Sequence, residues 1–214
     1  MRWLSFLLVL TFSLQAHSLQ AHNARLLIVG DSLSAGYQMS VDQAWPSLLA
    51  QALQKYNRSV TVVNASISGD TTGNSLTRLP QLLQQHTPDY VLLELGANDG
   101  LRGFSPQIPQ QNLARMIDLV TQSGAQAILM QIRIPPNYGK RYSNAFAAIY
   151  PKLAQEKQVP LLPFFLEQVI IRPEWMKSDG LHPNEKAQPW IAEWMAQQLS
   201  PLMASSTDSG MSSS

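Results

Sequence analysis

Five short apolar runs, residues 26–29, 59–63, 90–95, 127–132 and 159–162, recur along the chain, and between them lie stretches whose apolar residues repeat at helical spacing. Trp45, Leu48, Leu49, Ala52, Leu53 and Tyr56 form the first such stretch, and Leu76, Leu79, Leu82 and Leu83 the second, with Pro80 placed to bend it. Leu113, Met116, Ile117 and Val120 mark a third helix over about 109–123. A fourth is expected over 142–156 and a closing one over 184–199, with Trp190, Ile191, Trp194 and Met195 facing the core. Strand and helix in alternation predict a three-layer α/β/α sandwich around a mainly parallel five-stranded sheet. A chain of 214 residues, 45% of them hydrophobic, is long enough for one sizeable core and short for two.

Right-handed crossovers in such a sheet bring all strand carboxyl ends to one edge. The loops after the first three strands carry Ser32, Gly69 and Asn98. These residues, far apart in the chain, are therefore expected at a common rim, where open α/β sheets bind ligands.

A formal net charge of +1, with no Lys/Arg block, gives no basis for a nucleic-acid partner. The absence of cysteine removes disulfides, thiolate catalysis and cysteine-ligated metals together. Arg2, the apolar stretch 3–14 and the small residues Ala16 and Ala21 read as a secretory signal peptide over residues 1–21, too short in its apolar part to span a bilayer. The segment 13–17 repeats as 18–22, so either alanine serves as a cleavage site. The mature domain is then 22–202, exported to the periplasm or secreted, monomeric and without a stable membrane anchor, and the Ser-rich tail 203–214 is expected to be disordered.

A serine hydroxyl becomes a useful nucleophile only when a base takes its proton and a third group holds that base. Of the four histidines, His17 and His22 lie in or beside the signal segment, and His86 ends a polar helix. His182 lies three residues after Asp179, with Gly180 between them to permit a tight turn, so the carboxylate can reach the far ring nitrogen and fix the tautomer. An acyl-transfer site also needs preset donors for its oxyanion, and the backbone N–H groups of Ser32 and Gly69 with the amide of Asn98 supply three. Each element has a plainer reading on its own: Asp31 and Ser32 as a helix cap, Asp179 as a turn former, Gly69 and Asn98 as turn residues. No Gly-x-Ser-x-Gly elbow surrounds Ser32, because Ser34 stands where its second glycine belongs. A dinucleotide or metal enzyme is disfavoured, since no Gly-x-Gly-x-x-Gly follows a strand and no second mature histidine lies near His182.

Gly-Asp-Ser-Leu at 30–33, Gly69 within Ser-Gly-Asp, Gly-x-Asn-Asp at 96–99 and Asp-x-x-His-Pro at 179–183 together resemble the four sequence blocks of the SGNH, or GDSL, serine hydrolases, in order and over nearly the whole mature chain. The longer strings at 30–37, 100–104 and 137–142 are most similar to the bacterial periplasmic group of multifunctional thioesterases, proteases and lysophospholipases, also described as arylesterases. The resemblance implies a flavodoxin-like fold, a triad of Ser32, Asp179 and His182, an oxyanion hole of Ser32, Gly69 and Asn98, and no cofactor or metal. It also implies a loop after the asparagine block that covers the acyl chain, here 100–105, with Gly100 and Gly103 as hinges. Ala97 departs from the glycine common before that asparagine and fits wherever φ is negative.

The expected substrate is a small-molecule or lipid acyl ester or thioester: an aryl ester, an acyl-CoA or a lysophospholipid. Leu101, Phe104, Ile108, Ile134, Pro135 and Tyr138, in loops expected at the rim, are candidates for an acyl groove, or simply pack those loops. Arg102, Arg133, Lys140 and Arg141 either meet a phosphate or CoA moiety or are solvated. A carbohydrate O-deacetylase of the same fold and a non-catalytic binding module are the other readings.

Overall fold

The computed structural model describes residues 23–203. The expected signal peptide, residues 1–21, and positions 204–214 of the expected tail lie outside the described residues. Five strands, β1 (Ala24–Gly30), β2 (Val60–Asn64), β3 (Tyr90–Glu94), β4 (Gln126–Met130) and β5 (Leu161–Leu162), form one parallel sheet in the order β2-β1-β3-β4-β5. The helices are α1 (Ser32–Ala35), α2 (Trp45–Gln54), α3 (Thr72–His86), α4 (Ala97–Leu101), α5 (Gln107–Gln122), α6 (Lys140–Ala147), α7 (Ile149–Lys157), α8 (Leu166–Val169) and α9 (Gln188–Leu199). One helical layer joins α2 to α9, and the other runs through α3, α5 and α7.

Leu26, Leu27, Ile28 and Val29 of β1 and Val91, Leu92 and Leu93 of β3 are all fully buried. Central strands covered on both faces need such unbroken apolar runs, and each leucine removed from water contributes roughly 2 kcal/mol. The chain leaves β1 toward β2 on one side, then returns to β3 on the other. The point where winding reverses therefore lies between the carboxyl ends of β1 and β3, which is where an open sheet forms its ligand crevice. Ser32 follows β1 and Asn98 follows β3, so the topology alone brings them together.

The helix expected over 142–156 is two helices, α6 and α7. Pro151 has no N–H for the Ala147 carbonyl and its ring crowds that oxygen, so the first helix ends there and proline sits in the tolerated opening turn of the second. The last helix begins at Gln188 instead of 184, because the Asn184 side chain folds into a turn, accepting from Lys186 N and donating to the carbonyls of Glu174 and Met176. Pro80 does not interrupt α3, which continues to His86. The fifth strand is two residues long, with Val159 and Pro160 outside it.

Candidate active site

Asp31 caps the short helix α1, its Oδ1 accepting from Leu33 N at 3.1 Å, and Gly36 ends that helix at φ 75°. Ser32 is thus the first helical residue after a strand and a sharp turn, with its hydroxyl at the rim. Three groups pin this turn from outside. The Trp45 indole donates to Leu33 O at 3.1 Å, the Asn64 amide donates to Ser34 O at 2.8 Å, and the Ser34 hydroxyl donates to Glu94 Oε2 at 2.7 Å. Gly30 is required for the last of these: a Cβ there would lie 2.7 Å from Glu94 Oε2.

The loop before α9 brings His182 across the sheet edge. Its Nε2 lies 2.8 Å from Ser32 Oγ, and its Nδ1 lies 2.7 Å from Asp179 Oδ2. Asp179 Oδ1 accepts from the N–H groups of Leu181 at 2.8 Å and His182 at 3.0 Å, so the carboxylate that orients the ring also shapes the turn. Burial raises the Asp179 carboxyl, but the hydrogen bonds from Leu181, the His182 ring and His182 N–H outweigh it and hold the group down at about 2. The carboxylate is therefore charged throughout the working range. Tyr37 stacks on the other side, its ring centroid 4.2 Å from that of His182. Nothing in the spacing of the sequence blocks pointed to Tyr37 as a wall for the His182 ring.

Gly69 has φ 83°, a conformation that favours glycine, and within the described residues neither its N–H nor that of Ser32 has a hydrogen-bond acceptor. Asn98 lies beside them on α4, its Nδ2 donating to Asp31 Oδ2 at 3.2 Å and to Asp70 O at 3.0 Å. Arg102, at the end of α4, donates to Gly69 O at 3.0 Å and so holds the glycine loop against that helix. Ala97 is helical with negative φ, which accounts for the tolerated departure from glycine.

Under this rim lies a group of buried acids: Asp31, Asp70, Glu94 and Asp99. Asp70 pairs with Arg78 at 2.9 Å, and Asp99 accepts from the Thr72 hydroxyl and N–H. Burial, followed by repulsion from Asp31, pushes the Glu94 carboxyl well above its ordinary 4.5, against the weaker pull of the Ser34 hydroxyl. Burial likewise pushes Asp31 up to about 7, with Asp99 and Asp70 adding to it and Leu33 N–H and Asn98 opposing it. Both groups hold a proton in the folded chain over a range where the unfolded chain releases it. Their contribution to stability is accordingly full below about pH 4 and declines as pH rises toward the folded values. In Glu94→Gln one of the two contributions disappears. Urea midpoints measured from pH 5 to pH 8 should fall less steeply in the variant than in the natural protein, and parallel curves would refute the assignment.

An apolar groove of about 530 Å³ opens beside Ser32 and His182, within the roughly 300–1,000 Å³ of small-molecule sites. Leu101, Ile134 and Pro135, three of the candidates for an acyl groove, lie in its lining. Phe104, Ile108 and Tyr138 are not among its lining residues: the chain turns after α4, and Tyr138 borders a separate hollow. The Tyr138 hydroxyl donates to Leu101 O at 2.9 Å, the Tyr142 hydroxyl donates to Phe104 O at 2.6 Å, and Ile108 lies exposed at the start of α5. Phe164, Leu166 and Ile170, from β5 to the end of α8, complete the groove in their place. Their signal was the apolar stretch 161–171, too irregular for one strand or helix. Gly100 is not a loop hinge: it lies inside α4, where a Cβ would stand 2.2 Å from Ile134 Cγ2. Of the four cations, Arg102 is spent on Gly69 O, Arg133 pairs with Glu167 at 2.7 Å on the groove wall, and Lys140 and Arg141 border a separate outer hollow.

The arrangement has counterparts. A family model described as the GDSL-like Lipase/Acylhydrolase family matches residues 28–188. An arylesterase of Vibrio mimicus is 65% identical over 192 residues, which cover 90% of this chain and 95% of that protein. Thioesterase 1/protease 1/lysophospholipase L1 of Escherichia coli strain K12 is 57% identical over 198 residues, covering 92% of this chain and 91% of that protein. Among solved structures, the psychrotrophic esterase EstA from Pseudoalteromonas sp., inhibited by monoethylphosphonate, superposes with a TM-score of 0.80 at 40% identity, covering 83% of this chain and 97% of that one.

Proposed function

Because this chain belongs to the GDSL-like lipase/acylhydrolase family, we propose that it is a serine hydrolase cleaving acyl esters and thioesters, among them aryl esters, acyl-CoA and lysophospholipids, through an acyl-serine intermediate. The observation that carries this reading is the unbroken relay from Asp179 Oδ2 through His182 to Ser32 Oγ, with steps of 2.7 and 2.8 Å, at the mouth of an apolar groove.

His182, neutral and with its proton held on Nδ1 by Asp179, takes the Ser32 proton as Oγ attacks the acyl carbonyl. The carbonyl π electrons move onto oxygen, and that oxyanion accepts from the N–H groups of Ser32 and Gly69 and from the Asn98 amide. Collapse expels the alcohol or thiol, which leaves with the proton now on His182 Nε2. Water then repeats the sequence on the acyl-serine and releases the carboxylic acid. The groove takes the acyl chain by burying it, and the leaving group stays on the open side. The Arg2-led apolar segment and Ala16 or Ala21 support an exported enzyme, periplasmic or secreted. Within the described residues no helix is long and apolar enough to cross a membrane.

A fluorophosphonate probe should label Ser32, and p-nitrophenyl esters from acetate to palmitate should be turned over across a broad range of chain lengths. Turnover confined to acetyl esters favours the O-deacetylase reading. Failure to label Ser32 favours a binding module.

A further inference from the structure

Asn98 Nδ2 carries two hydrogens, and both are engaged inside the protein, one by Asp31 Oδ2 at 3.2 Å and one by Asp70 O at 3.0 Å. The amide plane is therefore set before substrate arrives. The other oxygen of the same carboxyl, Asp31 Oδ1, takes Leu33 N–H at 3.1 Å in the turn that carries Ser32. One side chain, 1% exposed, thus spans the candidate nucleophile's turn and the candidate oxyanion donor.

This is an expensive way to cap a helix. Asp99 from α4 and Asp70 from the loop after β2 push the Asp31 carboxyl up, and Asp31 in turn pushes up Glu94 from β3 and the Tyr150 hydroxyl from α7; of these, Asp70 is ion-paired, to Arg78. A serine or threonine hydroxyl would satisfy Leu33 N–H without burying an acid among acids. What a hydroxyl lacks is the second oxygen and the reach to Asn98.

We propose that Asp31 is a positioning residue of the reaction, acting through Asn98: its carboxyl presets the amide that receives the oxyanion and ties that amide to the Ser32 turn. As the oxyanion forms, one Nδ2 hydrogen passes from its resting acceptor to the new one. The remaining bond keeps the amide from rotating away. The proposal rests on the acyl-serine reading above.

A double-mutant cycle tests it. Asp31→Ser keeps a capping oxygen for Leu33 N–H and removes the link to Asn98. On a p-nitrophenyl ester, Asp31→Ser should lower kcat about tenfold with KM within about twofold, and Asn98→Ala should lower kcat by about 10²-fold or more. In the Asn98→Ala background, Asp31→Ser should change kcat by less than about twofold, since the group it acts through is gone. The rate of Ser32 phosphonylation by a fluorophosphonate, which builds charge on the same oxygen, should follow the same pattern. An equal loss in both backgrounds, or no loss in the first, overturns the proposal. If Asn98→Ala leaves kcat and phosphonylation at the natural level, the oxyanion assignment itself falls and takes this proposal with it. Should the serine variant not fold, Asp31→Asn, which keeps the shape but only one acceptor, enters the same cycle with the same expectation.

Discussion

Replacing Ser32 by alanine is expected to lower kcat on an aryl ester by about 10⁶-fold, or ~8 kcal/mol of transition-state stabilisation, the size of loss seen when a serine nucleophile is removed from a triad. The fold should not register the change. Among the described residues Ser32 Oγ has one hydrogen-bond partner, His182 Nε2, and the turn is held by Trp45, Asn64 and Glu94, which the substitution leaves in place. Thermal denaturation with an unaltered midpoint, together with loss of fluorophosphonate labelling, is the expected pair of results. Turnover within tenfold of the natural protein would remove Ser32 from the mechanism.

Asp179→Asn should cost about 10⁴-fold in kcat, ~5 kcal/mol, for a different reason. The asparagine oxygen can still accept from Leu181 N and His182 N, so the turn survives. Its amide nitrogen then faces His182 Nδ1 as a donor, which forces the imidazole proton onto Nε2, toward Ser32. A ring in that tautomer has no lone pair to offer the hydroxyl. The loss should appear in acylation and deacylation alike, with KM little changed. Stopped-flow measurement of the p-nitrophenol burst separates the two steps, and an unaltered burst rate would show that Asp179 does not set the tautomer.

The candidate site was legible to different depths. Asp179 and His182 could be read from spacing because they meet across three residues of one turn, and Gly180, at φ 67°, supplies the bend. Ser32, Gly69 and Asn98 could be read because each follows a strand in a parallel sheet, and right-handed winding sends all such loops to one edge. The groove was half legible. Leu101, Ile134 and Pro135 line it, whereas Phe104, Ile108 and Tyr138 do not, yet in the sequence all six are apolar or aromatic residues between the expected strands. Only the direction of the chain after α4, fixed by the tyrosine bonds to Leu101 O and Phe104 O, tells them apart. The division of 142–156 into two helices did have a local cause in Pro151, which the apolar periodicity on either side obscured.

By itself the sequence determined the architecture and which residues gather at one rim. Apolar runs without alternation demand strands buried on both faces, the helical stretches between them demand a parallel sheet, and the polar residues at each strand end must then gather at one rim. Tertiary structure alone decided what surrounds that rim: Tyr37 against His182, Phe164, Leu166 and Ile170 on the groove, and Asp31 bonded to Asn98 among buried acids. These depend on distances between loops many residues apart, and an aspartate written as a helix cap reads the same whether its second oxygen meets water or the Asn98 amide.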